Sequence, residues 1–134
     1  MSIKDIAGII LILLFSFSSL HAQIYVDANA TGTNNGTSWT NAFTELHAAT
    51  ALAGYGAQIW IADGTYYPTS STNRNISFQI NNGVEIYGGF AGGETSISQR
   101  DWVANPTILS GDIGTSGTNT DTVSYTHLTL PTKA

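Results

Sequence analysis

No cysteine occurs in these 134 residues, and lysine and arginine together number only four. The first absence excludes disulfides, thiolate metal sites, a thiol nucleophile and lipid attachment through an N-terminal cysteine. The second leaves no basic stripe to displace counterions from phosphate, so nucleic acid is not an expected partner. An anionic membrane surface is disfavoured for the same reason. Charged residues of both signs reach 10%, against about 25% in ordinary domains. In their place stand 14 glycines and many Asn, Thr and Ser, a texture common in extracellular β proteins. The formal net charge is −5.

Residues 1–22 read as an export signal. Lys4 gives a weak positive start, Ile6 to Phe17 form an apolar core, and Ser18-Ser19-Leu20-His21-Ala22 ends in a small residue suited to cleavage. The apolar run is shorter than the roughly 20 residues a membrane-spanning helix needs. The expectation is a secreted or cell-surface protein with no stable membrane span after cleavage. Loss of Lys4 and Asp5 together leaves the mature charge at −5.

The mature region alternates short β-branched runs with turn residues. Ile24-Tyr25-Val26 opens it, and Asn-Gly and Thr-Gly pairs up to Gly36 mark turns. Ala42, Leu46, Ala49 and Ala53 recur at helical spacing, which predicts a helix over 41–53 with Thr40 or Asn41 as N-cap and Glu45 in its first turn. His47 falls inside it, with no partner evident from sequence. Gln58–Ala62 alternates as a strand and stops at Asp63-Gly64; Ile76–Ile80 alternates likewise. Val84–Tyr87 and Thr107–Leu109 repeat the plan of a strand closed by glycine. Ile61, Ile86 and Ile108 lie 25 and 22 residues apart, a spacing typical of stacked repeats. On this basis they are expected to share one interior column.

Several segments together resemble a known family. They are Ile24-Tyr25-Val26-Asp27, Gly36 to Phe43, Ile59 to Tyr66, Asn82 to Gly92, Ser98 to Trp102 and Asn105 to Asp112. In combination they are similar to secreted right-handed parallel β-helix proteins of the pectate-lyase-like superfamily, bacterial cell-surface branch, over about residues 23–121. The resemblance implies an all-β solenoid of about three rungs under a short N-terminal capping helix. It divides the chain into a signal peptide (1–22), cap and first rungs (23–122), and a tail (123–134) that has lost the Gly/Asn/Asp texture and looks non-native. The natural protein is then expected to continue beyond it.

The functional expectation is a surface-associated structural, adhesive or glycan-binding module. The alternative is the N-terminal part of a polysaccharide lyase or glycoside hydrolase whose active residues lie on further rungs. No catalytic residue is singled out, since no two carboxylates fall at equivalent rung positions. The candidate glycan site is Trp60, Glu85 and Tyr87, taken as an exposed aromatic platform on the outer sheet face. Burial of Trp60 beneath long loops is the competing reading. Asp112, Asn119 and Asp121 form a candidate calcium loop, as do the oxygens of Asp27, Asn29, Asn34 and Asn35; no other cofactor is implied. Asp63 is expected to serve its turn, and Arg100 to fix a loop beside Asp101. Sequons at Asn29, Asn35 and Asn75 read as turn composition unless the host is eukaryotic.

Overall fold

A computed structural model describes residues 21–113 and 127–129. The leader up to residue 20, and Asn119 and Asp121 of the proposed calcium loop, lie outside the described residues. So does most of the tail. Six strands and one α-helix are present among the described residues: β1 (Gln23–Val26), α1 (Leu46–Leu52), β2 (Gln58–Ala62), β3 (Gly64–Tyr66), β4 (Glu85–Phe90), β5 (Thr107–Ser110) and β6 (His127–Thr129). They form two open three-stranded sheets, β1-β2-β4 and β3-β5-β6.

In the first sheet all pairings are parallel, with Ile24 opposite Ile59, Ile59 opposite Ile86, and Trp60 between Tyr25 and Tyr87. Period-2 alternation puts Ile24, Val26, Ile59 and Ile61 inward. There they pack with Leu46 and Ala49 of α1, with Ala53 just past its end, and with Tyr66 and Leu109 from the second sheet. Between Asp63 and Gly64 the chain passes from one sheet to the other. The Asp63 N–H donates to the Phe90 carbonyl at 2.8 Å and the Gly64 N–H to that of Pro106 at 3.1 Å. The outer edge of β1 is closed by loop backbone: Tyr25 donates to Gly36, Phe43 to Tyr25 and Asp27 to Phe43. That satisfies groups an open edge strand would otherwise leave unpaired.

The solenoid expectation is not met. The expected third repeat, Thr107–Leu109, does not extend the first sheet; it pairs with Gly64–Tyr66 in the second. β6 then joins β5 antiparallel, which parallel stacking would not produce. Ile86 lies opposite Ile59 rather than Ile61, and Ile108 opposite Thr65, so the column Ile61-Ile86-Ile108 does not form. The described residues form a small mixed α/β domain with one α-helix and two unclosed sheets, and no repeated rungs occur among them. The pectate-lyase-like assignment, and the β-helix module and lyase or hydrolase readings built on it, are therefore withdrawn.

The helix is also shorter than expected. Asn41 is drawn into the preceding loop, where its carbonyl accepts from Asn35 and Gly36 and its side-chain oxygen from Thr33. Phe43 bridges to Val26 in extended form. Helical geometry starts only after Glu45, which takes the N-cap position without a side-chain cap bond. Ile76–Ile80 forms no strand: it has no neighbour to pair with, and Ile76 and Ile80 are exposed while Phe78 alone packs on the core.

Candidate functional site

The outer face of the first sheet carries two ladders: Gln23, Gln58 and Glu85 in one, and Tyr25, Trp60 and Tyr87 in the other. The aromatic ladder is covered. Trp60 is 5% exposed and stacks on Phe90, with ring centroids 4.7 Å apart and planes 9° from parallel. Trp39 reaches over from the loop after β1, edge-on to Tyr25 at 4.8 Å and tilted against Phe90 at 5.4 Å. Its indole N–H donates to the Glu94 carbonyl at 2.8 Å. The Glu94 carboxylate in turn accepts from the N–H groups of Ala91, Gly92 and Gly93 at 2.6, 3.0 and 2.9 Å, pinning this cover in place. Burial by itself would raise the Glu94 carboxyl, but these backbone donors outweigh it and hold its pKa below the usual range.

Of the three expected platform residues, only Glu85 is exposed. Tyr87 is 5% exposed, and its hydroxyl donates to Glu85 at 2.6 Å. That bond holds the phenol above its usual range. Gln58 donates to the same carboxylate oxygen at 3.0 Å. Arg100 lies 5.2 Å from the Tyr87 ring centre while its guanidinium donates to the carbonyls of Ile97 and Gly88, so it fixes the loop. Asp101 caps Val103 and Ala104 of the same loop. These side chains serve one another, and no flat aromatic surface is left for a ligand.

Open space lies elsewhere, along α1 and the loop that follows β3. A cavity of about 330 Å³ is lined by Tyr67, Thr69–Thr72, Asp112 and Ile113. A smaller one of about 100 Å³ adjoins it, sharing Tyr67, Thr69 and Ser70 and adding Glu45, His47 and Tyr66. A third, about 310 Å³, continues past His47 to Ala51, Gln79 and Asn81. The two larger spaces are at the lower end for small-molecule sites.

The loop chemistry explains why this wall stands. The Thr69 hydroxyl accepts from Ser71 N–H at 3.0 Å, the Ser71 hydroxyl from Asn73 N–H at 3.3 Å, and the Asn73 side chain from Asn75 N–H at 3.0 Å. Such two-residue side-chain turns replace missing ladder bonds in a segment that belongs to no sheet. Alternate residues are thereby consumed. Ser70 and Thr72 lie between them, line the cavity, and make no side-chain hydrogen bond among the described residues. Neither does the Asp112 carboxylate, whose backbone N–H is bound by Ser110 at 3.1 Å. Tyr67, 44% exposed, presents its ring at the junction of the first two cavities.

Midway along the groove the Nε2 atom of His47 meets the Glu45 carboxylate at 3.2 Å. Its Nδ1 atom is buried without a partner, so neither ring nitrogen is open to a ligand. The Glu45-x-His47 spacing and the hydroxyl run 69–72 are the sequence signals that could have pointed here. Their meeting is tertiary. Among the described residues, Asp112 is the only one of the expected sites that borders the groove, and no group of three metal-ligating side chains gathers. No described helix is long and apolar enough to cross a membrane.

Comparison with known proteins gives no guide to the site: no family model, curated protein or solved structure matches this chain.

Proposed function

We propose that this domain binds a neutral, hydroxyl-rich saccharide non-covalently in the groove between α1 and loop 67–72. The observation that carries the reading is the division of labour along that loop. Thr69 and Ser71 brace the backbone, leaving Ser70, Thr72 and Asp112 with unused hydrogen-bonding capacity beside an exposed Tyr67 ring. A sugar offers what such a wall accepts: an apolar ring face for the aromatic and hydroxyls that both donate and accept. Glu45 and Asp112 on the lining, with a protein charge of −5, favour neutral over acidic sugars. Export, expected from residues 1–22, would bring the groove to an extracellular saccharide.

Immobilised neutral and acidic oligosaccharides provide the test. The protein should be retained on one or more neutral sugars, and Tyr67→Ala should weaken retention about tenfold, the loss of roughly 1.4 kcal/mol of contact. Ser70→Ala and Thr72→Ala should each weaken it several-fold without lowering stability. Thr69→Ala and Ser71→Ala should lower stability first. Retention unaffected by Tyr67→Ala, or on acidic sugars alone, would rule out this site.

A further inference from the structure

Asn-Gly occurs twice in the sequence, at Asn35-Gly36 and Asn82-Gly83, and the fold treats the two copies in opposite ways. We propose that Asn82 is a site of spontaneous deamidation and that Asn35 is shielded from the same reaction by its hydrogen bonds. The inference is independent of the saccharide reading.

In this reaction the backbone nitrogen of the following glycine attacks the side-chain amide carbon of asparagine. The amide nitrogen leaves as ammonia, closing a five-membered succinimide. Water then opens the ring at either carbonyl, giving aspartate or isoaspartate. Nothing is oxidised or reduced, and water is the only co-reactant. The chemistry needs a free glycine N–H, a free asparagine side chain and enough freedom to bring them together. Glycine suits the second position because it lacks a Cβ to obstruct the approach.

Asn81 to Val84 is a tight turn: the Val84 N–H donates to the Asn81 carbonyl at 3.2 Å, with Gly83 at φ 78°. That φ at the third position is the signature of a type II turn, whose third N–H takes no part in the turn bond. Asn82 and Gly83 are both exposed. Among the described residues the Gly83 N–H meets no acceptor and the Asn82 side chain no donor. At the other copy, Gly36 is buried and its N–H donates to the Asn41 carbonyl at 2.8 Å. The Asn35 side-chain oxygen accepts from the Thr37 N–H at 3.1 Å and the Thr37 hydroxyl at 2.7 Å. Nucleophile and electrophile are both tied down.

The consequence falls on the start of β4. The Gly83 carbonyl accepts from Gly56 at 3.0 Å, and Glu85 N–H donates to Ala57 at 3.0 Å, which sets the register of β4 against β2. Isoaspartate would lengthen the backbone at this turn by one methylene and loosen that register, while either product adds a negative charge.

The test is peptide mapping of the full chain during prolonged incubation in mildly alkaline buffer, with isoaspartate scored separately. Conversion should run at least about tenfold faster at Asn82 than at Asn35, because freeing Gly36 requires breaking its hydrogen bonds. In denaturant the two rates should become equal. Asn82→Gln should abolish the early acidic species seen by isoelectric focusing. Equal rates in the folded protein, a ratio that persists in denaturant, or acidic species unchanged in the Asn82→Gln protein would each overturn the proposal.

Discussion

Thr107→Val is the most informative single change in the fold. Thr107 is fully buried, and its hydroxyl accepts the Gly89 N–H at 3.0 Å while pointing at the carbonyls of Ile61 and Ala62, each at 3.2 Å. One side chain of the second sheet thus ties together β2 and β4 of the first. Valine matches threonine in shape, so no cavity opens and only the polar links are lost. Gly89 is buried, and its N–H would be left without an acceptor, at a cost of about 1–3 kcal/mol. The extra methyl returns at most about 0.8 kcal/mol. A net loss of about 1–2 kcal/mol is expected, lowering Tm by roughly 5–10 °C. Thr107→Ser separates the two contributions: it keeps the hydroxyl and gives up the methyl, and should cost less than Thr107→Val. Urea and thermal melts followed by tryptophan fluorescence measure both. A valine variant as stable as the parent, or a serine variant that is the less stable of the two, would refute the assigned role of the hydroxyl.

Gly89→Ala should destabilise by about 2 kcal/mol or more, since φ is 90° and a Cβ would lie 3.1 Å from Trp102 backbone atoms; chemical denaturation checks this. Glu94 has a lowered folded pKa, so its contribution is complete above the ordinary carboxylate range near pH 4–5 and fades as pH falls through the folded value. Glu94→Gln should cost about 1 kcal/mol at neutral pH, given its partial exposure, and flatten the acid limb of a stability–pH curve. Tyr66 is buried, donates to Ala62 at 3.1 Å and accepts from Ala28 at 3.3 Å. Burial pushes its phenol well above the usual range. Its stabilisation is complete below about pH 10 and is lost at higher pH. Ultraviolet titration should find Tyr66 silent until the fold opens, and Tyr66→Phe should cost about 1–2 kcal/mol.

The strand at Gln58–Ala62 was legible because its alternation is local, and so was its stop at Asp63. Its partner register was not. Ile59 and Ile61 are chemically identical, and a two-residue slip keeps every side chain on the same face. Thr107–Leu109 looked like a further copy of the first strand because sequence does not reveal that the chain changes sheets at Asp63-Gly64. Ile76–Ile80 shows the converse: an alternating pattern with no neighbour to receive it remains loop. That Trp60 and Tyr87 share the outer face was legible, but not that they stand opposite each other beside Tyr25, and their cover depends on Trp39 and Glu94, 55 residues apart and joined by one hydrogen bond. The groove was the least visible feature. It arises where the i to i+2 turns of 69–73 face a helix that starts later than its alanine spacing suggests.

The most direct test of the binding site is a two-dimensional amide NMR titration of the full chain with a neutral oligosaccharide that retains it. The proposal predicts shifts concentrated at Tyr67, Ser70, Thr72 and Asp112, with Glu85, Tyr87 and Arg100 unmoved. Shifts centred on the outer face of the first sheet, or none along loop 67–72, would contradict it.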